Sequence, residues 1–386
     1  MGETVFATYS ALARATNAIN LGQGFPDDAP DGAVLEALRA GADGHQQYAP
    51  MPGDPNLTGA IARALGGALA RDLDPLANVQ VTVGATEGLF ASVQALVDPG
   101  DEVVIVEPWY DAYPEMVRMA GGRVVGVPMR LEGARWRLDR AALTAAVGPR
   151  TRLVMVNTPH NPTGAVYDDD DLDAIVAAAA RADAVVLSDE VYEHLAFVPF
   201  TRLASRPGAW ERTLTVSSIG KSFGVTGWKV GWVSGPDDLV GAVRAAHQWI
   251  PFAVATPLQR ACATLLEGVA SDGGASFARL RASLERRRDL LTAVLTDTGF
   301  TAHHADGGYF VVADATALGF GDGEALARAL PAAAGVVAIP MRAFVSGEHC
   351  ALVDGMLRFA FCKGDDAIAE AGVRLRAWRD RGFAAA

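Results

Sequence analysis

Seven short apolar runs punctuate the first two thirds of the chain: 79–83 (VQVTV), 103–106 (VVIV), 123–127 (RVVGV), 153–156 (LVMV), 184–188 (AVVLS), 213–217 (TLTVS) and 230–233 (VGWV). They are too short for helices, rich in valine, and apolar on successive positions, which is the pattern of strands buried on both faces. Between them, apolar residues recur at helical spacing, as over 86–97 and 170–182. This alternation predicts an α/β fold with a mostly parallel, seven-stranded sheet covered by helices on both sides. From about Ser276 the pattern changes. A long charged helix is predicted over 278–295, short strands near Gly308–Val312 and Leu357–Phe361, and a final helix over 366–380. These read as a smaller α+β domain with which the N-terminal segment packs. The expected division is a large domain over 46–275 and a small domain made of 1–45 and 276–386. No repeat, low-complexity block or long linker interrupts the chain.

Half of the 386 residues are hydrophobic, enough for one large core and a second, smaller one. The formal net charge of −12 argues against a nucleic-acid surface, which needs clustered Lys and Arg. Local anion sites at helix N-termini stay open. Cys262, Cys350 and Cys362 are scattered and lack C-x-x-C spacing, so they read as reduced structural thiols and not as a disulfide framework or a metal site. The start, MGETVFATYS, has neither a basic n-region nor an apolar h-region, so no secretory leader is expected. Gly2 is followed by Phe6 where a myristoylation signal needs Ser or Thr. The longest apolar run, Ala174–Ala180, is too short to span a bilayer. A cytoplasmic protein without nucleic-acid or membrane partners is expected.

Polar segments gather where the predicted strands end: Gly84–Glu87, Glu107–Tyr113, Asn157–Gly164, Asp189–Tyr192 and Ser217–Lys221. Parallel sheets bind ligands beyond these carboxyl ends. Lys221, between Gly220 and Ser222, is either a solvated surface lysine or an amine whose pKa is lowered by desolvation for carbonyl chemistry. Ser218 and Lys229 flank it with groups suited to a phosphate. Asp189, at the end of an apolar strand, either caps a helix or faces a cation such as a protonated pyridine nitrogen. Tyr192, read as one helical turn later on the same face, and Asn161, in the turn HNPTG, could both reach a ring oxygen. Gly84-Ala85-Thr86-Glu87 opens a helix whose free N–H groups suit a phosphate. Tyr110 offers a flat ring for stacking, or packs in the core. Arg358, in LRFAF, either clamps a carboxylate or pairs between domains.

These segments together resemble the class I aminotransferases among the fold-type I pyridoxal-phosphate enzymes. The likeness is to the kynurenine/methionine (glutamine-type) branch, which includes proteins assigned as N-succinyldiaminopimelate aminotransferases. It is carried by INLGQGFPDDAP (19–30), QQYAPMPG (46–53), VTVGATEG within 81–113, NTPHNPTGAV, SDEVYEHLAF, SIGKSFGVTGWKVGW, HQWIPFAVATPLQ (247–259), GGYF (307–310), GVVAIPMRAF (335–344) and LRFAFCKGDD. It spans nearly the whole chain. The resemblance implies pyridoxal 5′-phosphate as cofactor and ping-pong transfer of an amino group from an L-amino acid to a 2-oxo acid. Lys221 would be the Schiff-base lysine and proton shuttle, with Asp189 on the pyridine nitrogen and Asn161 and Tyr192 on the ring oxygen. Ala85, Thr86, Ser218 and Lys229 would hold the phosphate, joined by Tyr48 of a second subunit in a homodimer, and Tyr110 would stack on the ring. Gly22, Asn157 and Arg358 would take the substrate carboxylate. Phe25, Phe344, Tyr9, His160 and the second subunit's Phe252 would surround the substrate side chain.

Two positions depart from the branch. Arg342 stands where a small Ser is expected, and either meets a second substrate carboxylate or faces solvent. Tyr9 stands where Met is usual. A C–S β-lyase acting on cysteine conjugates would use the same cofactor. A ligand-sensing regulator would need a DNA-binding domain, for which there is no room before Leu21. A nucleotide-binding enzyme would need a G-x-G-x-x-G or P-loop motif, and the chain has neither.

Overall fold

The computed structural model describes residues 4–44 and 46–383. All seven apolar runs form one sheet, from strands β1 (Val79–Thr82), β2 (Glu102–Glu107), β3 (Arg123–Pro128), β4 (Thr151–Asn157), β5 (Val185–Asp189), β6 (Thr213–Ser218) and β7 (Gly231–Ser234). Their spatial order is β1-β7-β6-β5-β4-β2-β3. All pairings are parallel except those of β7, which runs antiparallel to β1 and to β6. Every residue of β1, β2, β5 and β7 is buried, as expected of strands covered on both faces. The chain leaves β2 outward to β3 and returns on the other side at β4, so the sheet has its switch point between β2 and β4, where ligand crevices form.

The last residues of β2, β4, β5 and β6 are Glu107, Asn157, Asp189 and Ser218. The polar motifs therefore begin inside the strands, which fixes their first side chains as firmly as the sheet itself. Helix α1 (Gly84–Leu96) follows β1, and α2 (Asp169–Ala182) follows the turn after β4. The Asp168–Asp171 pair closes a capping box at the start of α2.

The C-terminal part carries a four-stranded sheet of β8 (Thr301–Ala302), β9 (Phe310–Asp314), β10 (Ile339–Pro340) and β11 (Met356–Ala360), in the order β8-β9-β11-β10. The long helix runs over Ala275–Thr298 and the last over Asp365–Asp380, and the two pack together. The N-terminal segment divides. Val5–Thr16 packs on the helix Gly323–Ala334, and Ile19–Asn20 pairs with Val336–Val337. Gly32–Ala42 instead packs on Thr256–Ser271. Among the described residues, no helix is long and apolar enough to cross a membrane.

Candidate active site

A cavity of about 210 Å³ opens at the strand ends, and every residue expected to meet the cofactor lines it except Tyr48. Its far end is the start of α1. Gly84 has φ +69, a left-handed conformation that favours glycine, and a Cβ there would come within 3.2 Å of Cε and Nζ of Lys229. No side chain caps this helix, so its first N–H groups face the cavity region free for an anion. Ala85, Thr86, Ser218 and Lys229 lie around it, with Lys229 Nζ 3.5 Å from Thr86 Oγ1. Lys229 itself holds a left-handed backbone (φ 52), an uncommon conformation for a side-chain-bearing residue. An uncapped helix end, a lysine and two hydroxyls fit a phosphate.

At the middle of the cavity stands Lys221. Its Nζ donates to the Gly24 carbonyl at 3.1 Å and lies 5.4 Å from the ring centroids of both Tyr192 and Tyr309. Burial pulls its pKa down to about 8, so the neutral, nucleophilic amine is accessible near neutral pH. The Tyr309 hydroxyl donates to the Lys221 carbonyl at 2.7 Å and fixes the short helical turn Ile219–Ser222 that carries the amine.

Asp189 is buried, and burial raises its pKa to about 6. Both carboxylate oxygens have donors: the Val191 N–H at 3.2 Å and the Tyr113 hydroxyl at 2.6 Å. A buried carboxylate raised by desolvation and aimed into a cavity suits a cationic ring nitrogen. The segment after Asp189 is not the α-helix that the spacing suggested. The bond from Val191 N–H bends the chain into a turn, followed by a single 3₁₀ turn over Glu193–Leu195. Tyr192 still reaches the cavity, by way of that turn. Beneath it, Arg202 pairs with both Glu190 and Glu193, while Ser188 and Ser217 donate to the same two acids. This buried network pins the turn to β5 and β6.

Asn157 is held tightly: its Nδ2 donates to the Asp189 carbonyl at 2.8 Å and its Oδ1 accepts from the Asn161 N–H at 2.6 Å. It therefore ties β4 to β5 and aims Asn161. Arg358 is fully buried, donating to Asn161 Oδ1 at 3.0 Å and to the Gly22 carbonyl at 2.7 Å, while its Nε has no partner. Its guanidinium carbon lies 3.9 Å from the Phe310 ring, 4.7 Å from Phe344 and 5.1 Å from Phe6. Burial lowers its pKa to about 10, so it stays charged. With a free donor and, among the described residues, no carboxylate paired to it, this buried cation fits an incoming carboxylate. Phe344 is tied to the loop after β2, where Trp109 N–H donates to its carbonyl at 2.7 Å and Glu107 accepts from Ser346 and His349.

Several expected neighbours lie elsewhere. Tyr9 is buried beside Asp322, Glu324 and Arg328 in the packing of the N-terminal helix, outside the cavity. His160 turns into its own loop, bonded to Thr163 at 2.8 Å, and burial lowers its pKa to about 3, so it stays neutral. Arg342 is exposed and lies 3.8 Å from Asp354. Phe25 is 44% exposed, under Lys363 Nζ, and outside the cavity lining. Tyr48 is 80% exposed and meets Phe252 edge-on at 5.3 Å, away from the cavity of its own chain.

The cavity, with its phosphate-type cradle, desolvated lysine and buried acid, has the donor set of a pyridoxal-phosphate site. A model of the aminotransferase class I and II family matches residues 16–374, and the chain belongs to that family. It is 45% identical to a Mycobacterium tuberculosis protein described as a probable N-succinyldiaminopimelate aminotransferase, over 98% of this chain and 96% of the other. It is 36% identical to rat kynurenine–oxoglutarate transaminase 1, over 98% and 96%. The solved structure of the M. tuberculosis N-succinyldiaminopimelate aminotransferase superposes with a TM-score of 0.93 over 97% of each chain, at 45% identity. That of Escherichia coli YbdL, described with a methionine aminotransferase function, gives 0.91 at 35% identity over 98% and 97%. The fold is the fold-type I architecture of these enzymes, and the protein is an aminotransferase with pyridoxal 5′-phosphate as cofactor.

Proposed function

We propose that the chain moves an amino group from an L-amino acid to a 2-oxo acid by a ping-pong sequence in this cavity. The observation that carries this reading is that a desolvated amine, Lys221, and a buried acid, Asp189, line one cavity, while Arg358, a buried cation with no carboxylate paired to it among the described residues, donates to Asn161 of that lining. Bound there, pyridoxal phosphate supplies an aldehyde and an electron-withdrawing ring. Ala85, Thr86, Ser218 and Lys229 hold the phosphate. Asp189 would keep the ring nitrogen charged, Asn161 and Tyr192 would hold the ring oxygen, and Tyr110 would stack on the ring. Arg358 binds the substrate carboxylate, with Asn157 and the Gly22 backbone beside it, and so orients the α-hydrogen toward Lys221. Nζ of Lys221 would take that proton and hold it for return to the bound intermediate. The amino group would stay with the bound cofactor when water releases the first oxo acid, and the second oxo acid would bind the same Arg358 to receive it.

We further propose the division into a large domain over 46–275 and a small one made of 1–45 and 276–386, with Gly32–Ala42 packing on Thr256–Ser271 of the large one. The site is completed across a homodimer in the cytoplasm, where soluble-fraction activity tests the location. Tyr48, Trp249, Ile250 and Phe252 form an exposed aromatic and apolar group, which supports a subunit contact that brings Tyr48 to the partner's phosphate and Phe252 to its substrate. Sedimentation should give about twice 40.3 kDa. Tyr48→Phe should weaken cofactor affinity about tenfold, the worth of one charge-assisted bond. A monomer with full affinity contradicts this arrangement.

The aromatic residues Phe344, beside Arg358, and Phe25 would favour aromatic, methionine-like or glutamine donors. The 45% identity to the M. tuberculosis protein favours an N-succinyl dicarboxylic amino acid as a second reading. A donor panel with 2-oxoglutarate or pyruvate as acceptor separates them. Across that panel, Arg358→Lys should raise KM for every donor by about a hundredfold, because lysine cannot form the bidentate pair. An unchanged KM removes Arg358 from substrate recognition.

A further inference from the structure

Tyr113 was not singled out by the sequence, yet it makes the shortest contact to the buried acid. It belongs to the helix Ala112–Met119 and is fully buried. Its N–H donates to the Tyr110 carbonyl at 3.0 Å, and its ring meets Tyr110 edge-on at 5.6 Å. Its hydroxyl donates to Asp189 Oδ2 at 2.6 Å, while Oδ1 takes the Val191 N–H. One donor comes from the turn that carries Asp189 and the other from across the sheet, so the carboxylate plane is fixed from two independent elements.

We propose that Tyr113 is a positioning residue: its hydroxyl holds Asp189 ionised and in one orientation, ready for the cofactor's ring nitrogen. This rests on the assignment of Asp189 to that nitrogen. Burial keeps the Tyr113 pKa well above its ordinary value, so it remains a donor at every working pH. Burial raises Asp189, and the Tyr113 bond works against that rise. The other groups facing Asp189 are Lys221, which lowers its pKa, and the hydroxyls of Tyr110 and Tyr192, which stay protonated because burial raises them too. Removing the Tyr113 hydroxyl therefore raises the proton affinity of Asp189. A neutral Asp189 no longer receives a protonated pyridine.

The test is capture of pyridoxal phosphate by the apoprotein, followed by absorbance from about pH 5 to 9. Wild type should show an acid break near pH 6, where Asp189 titrates. Tyr113→Phe keeps the ring and its packing, and should move that break up by about one unit or more. Incorporating 3-fluorotyrosine at position 113, a stronger donor, should move it down. Opposite displacements by the two variants support the proposal. A break that stays in place in both variants, whatever their melting temperatures do, makes Tyr113 a packing residue and overturns it. If wild-type apoprotein captures no pyridoxal phosphate at any pH, the cofactor assignment itself fails, and the role of Tyr113 with it.

Discussion

Lys221→Ala should abolish the enzyme's visible absorbance and lower turnover by at least about 10⁴-fold, the upper range for loss of a positioned acid–base group. The size of the effect follows from two duties falling on one atom. Nζ is the only amine that the described residues place at the centre of the cavity, and Lys229, the next cation, lies at the phosphate end. Its lowered pKa of about 8 comes first from burial, so the same surroundings that free the amine for bonding leave it basic enough to accept a proton. The variant should fold, because Lys221 contributes only the bond to the Gly24 carbonyl, while Tyr309 grips its backbone. Absorbance spectra and steady-state rates on the same preparation check both parts. A yellow, fully active variant would remove Lys221 from the chemistry.

The second large effect is expected at Asp189. Asp189→Ala should reduce kcat by about 10²–10³-fold, in the range for removing one preorganised electrostatic group, while cofactor affinity falls much less. The phosphate cradle at the start of α1 shares no bond with Asp189, so anchoring survives when the acid is lost. The carboxylate acts on the reacting ring instead, by keeping its nitrogen charged. Equilibrium binding of pyridoxal phosphate and kcat, measured side by side, separate the two. An unchanged kcat contradicts the electron-withdrawing role.

The sheet was legible because most of its strands are short, valine-rich apolar runs buried on both faces, while the edge strand β3 is only partly covered. All seven runs are strands within one or two residues of the expected ends. The chemistry-bearing residues were legible because they sit at those ends, where Asn157, Asp189 and Ser218 terminate β4, β5 and β6. What the sequence hid is partnership over long separations. Tyr113 meets Asp189 across 76 positions, and Tyr309 meets Lys221 across 88. Phe6 and Phe310 enclose Arg358 from opposite ends of the chain. No local spacing announces such pairs, although Tyr113, at the end of the polar segment Glu107–Tyr113, was a signal available to be weighed beside Tyr110. Tyr9 and His160 show the converse. Tyr9 packs against a neighbouring helix, and His160, in a segment that matches the family, closes its own turn. After Asp189 the chain makes a turn and a single 3₁₀ turn over Glu193–Leu195 in place of the expected helix.

The covalent attachment point is the most direct test. Borohydride reduction of the pyridoxal-phosphate-loaded enzyme, followed by peptide mass mapping, should leave the pyridoxyl group on the peptide containing Lys221 and on no other. A tag on a different lysine, or none, would contradict the account at its base.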